Sequence, residues 1–130
     1  QSKSSEFEVW GDGSEERDLL YVSDLLDFVE IILSKQKESF ELINLGLGKS
    51  IPIKKLVEKI IAKSGKNLSI RYNNDRPTIK FNLAVDISKA KEKYDWVPQI
   101  NLDEGILKTI DWYKKYIKLD DDGNIFINER

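Results

Sequence analysis

Cysteine, histidine and methionine are all absent from this 130-residue chain. Without cysteine there are no disulfides, no thiolate metal sites and no cysteine nucleophile. Such a lack fits a reducing compartment. Without histidine, a Ser-His-Asp triad and a histidine-ligated zinc are excluded. Without methionine there is no initiator residue, and the polar opening Gln1–Glu6 runs directly into a strand pattern, as expected of a piece of a longer protein. Basic excess is missing too: the formal net charge is −2. No nucleic-acid partner is therefore expected. No apolar run reaches transmembrane length and no signal peptide precedes the first strand, so no membrane partner is expected and the cytoplasm is the expected compartment.

What is present is globular in balance, with 40% hydrophobic and 34% charged residues. The length suffices for one core. The chain is organised around Trp10–Asp24, which reads WGDGSEERDLLYVSD. A strand over 6–10 breaks at the turn formers Gly11-Asp12-Gly13-Ser14. One arginine, Arg17, then enters the apolar run Leu19–Val22, which reads as a second short strand over 18–22. Ser23 or Asp24 can cap the helix that follows. A planar guanidinium at such a lip suits a phosphate, because it donates two parallel hydrogen bonds. From this segment alone, an exposed arginine near Glu15 and Glu16, solvated or weakly paired, is the simpler reading.

Further along, Leu25, Leu26, Phe28, Val29, Ile32 and Leu33 give an amphipathic helix over about 24–35. Residues 40–45 read as a strand, followed by Gly46-Leu47-Gly48-Lys49-Ser50 and a helix. Strand, glycines and helix is the layout of a phosphate cradle. A P-loop would need a glycine where Ile43 stands, and a dinucleotide fingerprint one where Ile51 stands. Both fail, and Gly46 and Gly48 are read as tight-turn residues.

The helix over about 51–64 has Ser50 as its cap, Pro52 in its first turn and Gly65 as its stop. A half-buried strand over 68–72 leads to the loop Asn73–Pro77 and a further extended segment, 79–85. Asp86 or Ser88 caps a short helix to Tyr94, which Trp96 and Pro98 end. Asn101 and Glu104 stand in capping-box spacing before a last helix to about Ile117. Leu102, Ile106, Ile110, Tyr113 and Ile117 are expected to face inward there, with Trp112 and Tyr116 packed beside them. The carboxylates Asp120–Asp122 lack the distal glutamate of a calcium loop, so no metal is expected, and Ile125 and Ile127 suggest a short strand. The expected fold class is α/β, a small sheet of short strands covered by amphipathic helices.

The segments VWGDG, ERDLLYVSDL, FELINLGLGKSI, RPT, DISKAKEKYDWVPQINLDEGI and TIDWY, in that order, resemble the C-terminal part of an extended short-chain dehydrogenase/reductase. More narrowly they are similar to the NAD-dependent nucleotide-sugar epimerases and dehydratases, including GDP-L-fucose-synthase-like members. The resemblance covers about residues 6–117. It implies a C-terminal substrate-binding part that lacks most of the Rossmann domain: a polar leader over 1–5, a substrate-binding region over 6–118 and an acidic tail over 119–130. It implies that Arg17 contacts the diphosphate of a nucleotide sugar, that Arg76 is a second basic position near the phosphates or ribose, and that Trp10 lines the cleft. The family's cofactor fingerprint is not in this chain, and neither is its Tyr-Lys pair at a spacing of four. Tyr21, Tyr72, Tyr94, Tyr113 and Tyr116 are followed there by Leu25, Arg76, Pro98, Ile117 and Asp120. Thr78 and Ile79 stand where relatives often have Gly and Asp. No catalytic or cofactor-binding residue is therefore assigned, and NAD(P) is expected only in the full-length parent. A ligand-free interaction module, dimerising through open strand edges, is the competing expectation.

Overall fold

A computed structural model describes residues 5–79, 81–119 and 125–127. Strand β1, Glu6–Trp10, pairs in parallel with β4, Ser69–Asn73, placing Phe7 opposite Ile70 and Trp10 opposite Asn73. Two short strands, β2 (Glu16–Arg17) and β3 (Ile51–Pro52), pair antiparallel, as do β5 (Ile117–Leu119) and β6 (Ile125–Ile127). Helices α1 (Val22–Lys35), α2 (Ile53–Ser64), α3 (Ser88–Tyr94) and α4 (Leu102–Tyr116) complete the fold. The class is α/β as expected, although the strands form small separate pairs.

Several boundaries differ from the sequence reading, each for a local reason. Residues 18–22 form no strand, and α1 begins at Val22 behind Tyr21, with no side-chain cap. Asp24 does not cap it. Its carboxylate is 1% exposed and accepts the main-chain N–H groups of Gln99 at 3.1 Å and Ile100 at 3.0 Å, tying α1 to the α3–α4 connection. Ser50 does not cap α2 either, because its hydroxyl donates to the Glu16 carboxylate. The first donors of α2 are met by main-chain carbonyls instead, Ile53 N–H by Glu15 at 2.9 Å and Lys54 N–H by Gly13 at 2.9 Å. Neither Asp86 nor Ser88 is the residue flanking α3, which is Ile87, but the Asp86 carboxylate accepts the Ser88 N–H at 2.9 Å. Among the described residues of 79–85 there is one bridge, Glu16 to Asn82, and no strand. Residues 40–45, expected as a strand, form none and are unpaired among the described residues.

Other signals hold. Asn101 accepts the Glu104 N–H at 3.0 Å, and Gly65 ends α2 in the left-handed region. The buried core joins Phe28 of α1, Ala90 and Tyr94 of α3, and Trp96. Phe28 meets Tyr94 and Trp96 edge-on, with centroids 5.6 and 5.2 Å away, a favoured aromatic geometry. Ile43 and Leu45 pack against this cluster. In the first half of α4 Ile106 is buried as expected, whereas towards its end Trp112 and Tyr113 are about half exposed. The Asp120–Gly123 run lies outside the described residues. Among the described residues, no helix is long and apolar enough to cross a membrane.

Candidate functional site

Trp10 ends β1, and its partner strand β4 runs into the loop after Asn73. That loop folds back on Trp10. The Asn73 carbonyl accepts the N–H groups of Gly11 at 2.8 Å and Arg76 at 3.4 Å. The Arg76 guanidinium is thereby placed 5.4 Å from the Trp10 ring centroid, a cation–π distance. Gly11 makes the turn possible: its φ is 73°, and an added Cβ would lie 2.6 Å from the Thr78 Cγ2. Trp10 and Arg76, far apart in sequence, are thus side by side and exposed.

Arg17 lies in β2 and is half-buried. One Nη donates to the carbonyls of Glu16 at 2.8 Å and Phe81 at 3.1 Å. Its guanidinium carbon also lies 4.9 Å from the Phe81 ring centroid. Phe81 carried no signal in the sequence; the bridge of Glu16 to Asn82 and the Leu83 N–H donating to the Glu16 carbonyl at 3.4 Å bring its segment to the arginine. The connection after β4 therefore supplies Arg76 to Trp10 at one end and Phe81 to Arg17 at the other. Among the described residues no carboxylate pairs with either guanidinium, so the expected weak pairing of Arg17 with Glu15 or Glu16 is not made through their carboxylates. Glu16 is engaged by Ser50 instead.

The glycine loop is occupied by the chain itself. Asp18 accepts the N–H groups of Leu47 at 2.6 Å, Gly48 at 3.0 Å and Val85 at 3.3 Å. An added Cβ at Gly46 would come within 2.6 Å of the same carboxylate. A dinucleotide phosphate does not fit where a carboxylate already fills the nest of amides. Asp18 also follows Arg17 directly, so this clamp fixes the backbone that carries the guanidinium. The sequence did contain a signal for it, an acidic residue opening an apolar run, but not its partners.

The other charged constellations are structural. Glu41, 6% exposed in its side chain, accepts from Lys93 at 2.7 Å and Tyr94 at 2.5 Å, with Lys89 at 3.2 Å. Hydrogen bonds from Lys93 and then Tyr94 hold its carboxyl down at about 2. The same bonds raise Lys93 and Tyr94 above their ordinary values. Asp103 is lowered by Lys59 and Lys63, which join α2 to α4. A cavity of about 650 Å³ is lined by Lys49, Lys59, Gln99 and Asn101 among others, and not by Arg17, Arg76 or Trp10. Among the described residues, no group of acidic side chains could hold a metal ion.

Residues 1–109 match the family described as GDP-mannose 4,6 dehydratase. The UDP-glucuronate 4-epimerase of Thermodesulfobacterium geofontis is 36% identical, covering 85% of this chain and 34% of that protein. A probable GDP-L-fucose synthase 1 of Oryza sativa subsp. japonica is 34% identical, covering 86% and 34%. Among solved structures, a UDP-glucose 4-epimerase of Thermotoga maritima with UDP-glucose superposes with a TM-score of 0.77 at 28% identity, covering 85% of this chain and 35% of that one. A dTDP-glucose 4,6-dehydratase of Bacillus anthracis in complex with NAD gives 0.75 at 29% identity, with coverage of 85% and 35%. The chain spans about a third of the length of the relatives it matches.

Proposed function

This chain belongs to the GDP-mannose 4,6-dehydratase family, and from that premise we propose that it is the nucleotide-sugar-binding region of an NAD(P)-dependent sugar-nucleotide epimerase, dehydratase or reductase. Arg17 and Arg76 grip the substrate diphosphate, and Trp10 lines the cleft. One observation carries this reading: both guanidiniums lack a carboxylate partner among the described residues, and each is steadied over an aromatic ring. Arg17 is further held by main-chain carbonyls on one Nη, which leaves its other N–H groups for an anion. Charge-assisted bonds from two such groups suit a diphosphate. In support, the Thermotoga maritima relative is a structure with UDP-glucose.

The cofactor belongs to the part of the enzyme outside this chain, where NAD(P) supplies hydride chemistry. This region contributes remote binding energy that positions the sugar. The cytoplasm is the compartment we propose for it. Phosphorus NMR of UDP, GDP and dTDP titrated with the chain tests the grip at low affinity. Arg17→Ala is expected to abolish the shift. In a full-length enzyme carrying this region it is expected to raise KM by the equivalent of about 1.5–3 kcal/mol. Unchanged KM and unchanged phosphorus shifts would rule out the phosphate role. The competing reading, a ligand-free interaction module, is favoured by the exposed apolar face of α1 and predicts no response to any nucleotide.

A further inference from the structure

Two adjoining cavities lie along α2 and the start of α4. The one of about 650 Å³ mixes apolar walls, Leu47 and Ile51 among them, with polar groups. Most of those polar groups are engaged. The Gln99 side-chain NH2 donates to the Val97 carbonyl at 2.9 Å, and the Ser50 hydroxyl donates to the Glu16 carboxylate. Asp103, the carboxylate of the lining, is shared by two ammoniums, Lys59 at 2.8 Å and Lys63 at 3.0 Å. What remains is donor in character. The exposed Lys49 ammonium has no partner among the described residues. Asn101 accepts the Glu104 N–H on its side-chain oxygen and keeps its NH2. The lining thus carries more positive than negative charge. The second cavity, of about 240 Å³, shares Leu19, Ile100, Asn101 and Leu102 with the first. Beyond them its walls are apolar, with Leu20, Leu56, Ile60 and Ile106, and with the Tyr21 ring set against Gly105. The Thr109 hydroxyl in this lining donates to the Gly105 carbonyl at 2.8 Å, so it is engaged as well.

We propose that the two cavities are one binding site for a single-chain amphiphile with an anionic head, of the class of aliphatic carboxylates. The head sits at Lys49 and Asn101, and the chain runs past Leu19 and Ile100 into the cleft between α2 and α4. An unpaired ammonium at one end and an apolar slot at the other call for the reverse polarity in the ligand. A cationic amphiphile would meet Lys49 with like charge, and a neutral one would leave it unmatched. A small polar anion would leave the apolar slot empty. The larger cavity falls within the range of about 300–1,000 Å³ usual for small-molecule sites. Neither Arg17 nor Arg76 nor Trp10 lines either cavity, so the inference stands apart from the diphosphate reading.

The test titrates the nitrogen-15-labelled chain with hexanoate, octanoate and decanoate at pH 7 and follows the amide resonances. Shifts are expected at Leu47, Lys49, Ile51, Ile100 and Leu102, with affinity rising about fourfold per added methylene. Octanol and octylamine, which keep the chain and change the head, are expected to bind at least tenfold more weakly than octanoate. Lys49→Glu, at an exposed position, should weaken octanoate at least tenfold and leave octanol within threefold. Thr109→Phe, also at an exposed position, should flatten the gain from hexanoate to decanoate by filling the apolar slot, with circular dichroism unchanged. Arg17→Ala should leave all three acids unaffected. The proposal is overturned by decanoate that shifts none of these amides, by octylamine that binds as well as octanoate, or by indifference to Lys49→Glu. A length dependence that survives Thr109→Phe overturns it too, as does loss of binding in Arg17→Ala, which would place the acids at the arginine instead.

Discussion

The Asp18 carboxylate accepts the Leu47 main-chain N–H at 2.6 Å, and with it the amides of Gly48 and Val85. One side chain thus joins the segment that carries Arg17, the glycine loop and the approach to α3. Asp18→Ala leaves those amides without their acceptor. An expected loss of about 1.5–3 kcal/mol of unfolding free energy follows for a charged acceptor. Urea denaturation measures it; a loss under about 0.5 kcal/mol would mean that water replaces the carboxylate.

Gly46 and Asp18 should be coupled. An alanine methyl at Gly46 would clash with the Val85 Cγ2 and lie 2.6 Å from the Asp18 Oδ2. Gly46→Ala is expected to cost about 1–3 kcal/mol through overpacking. In an Asp18→Ala background the cost should shrink, and a double-mutant cycle reads the difference. Simple additivity would show that Val85 alone excludes the methyl.

Asp24 is the buried carboxylate of the fold, 1% exposed, and holds the turn before α4 through Gln99 and Ile100. Asp24→Ala should therefore destabilise by about 1–3 kcal/mol as two buried donors lose their partner. Asp24→Asn, which keeps one carbonyl acceptor, should lose less. Thermal unfolding of the two variants ranks them, and the reverse order would refute the role.

Acid should loosen segment 40–45. The Glu41 carboxyl is lowered from 4.5 to about 2 by Lys93 and Tyr94. A depressed folded-state value stabilises the fold above about 4.5, and that contribution is lost as pH falls through about 2. Glu41→Gln should be less stable than the parent at pH 7, with the gap closing between those two values. Urea midpoints measured at pH 7, 4 and 2.5 report it; a constant gap would show that the charge on Glu41 is irrelevant.

Asn101→Ala removes the side-chain cap of α4, which accepts the Glu104 N–H at 3.0 Å. About 1 kcal/mol should be lost. Asn101→Ser should recover most of it, and failure of that rescue would point to the neighbouring cavity rather than the cap.

Local rules made parts of this molecule legible. The strand of alternating residues at 6–10, the Asn101–Glu104 cap, the Gly65 stop and the short strand of Ile125 and Ile127 depend on neighbours a few positions away. The misread elements depend on distant ones. Asp24 has the chemistry of a cap, and its pull toward Gln99 and Ile100 cannot be read from its own segment. Residues 40–45 alternate like a strand, but a ladder needs a second strand, and the described residues supply none. Trp112 and Tyr113 look like core residues by type, yet both are left about half exposed.

By itself, the sequence determined the four helices, the family resemblance, and the absence of cysteine, histidine and a Tyr-Lys pair, because these are properties of residue identity and short spacing. Only the tertiary structure decided that a carboxylate fills the glycine loop, that Trp10 stacks with Arg76 and that Phe81 backs Arg17. Those partners lie tens of residues apart along the chain. No local periodicity encodes such pairs; they arise when β4 seats beside β1 and the connection after it sets Arg76 against Trp10 and Phe81 against Arg17.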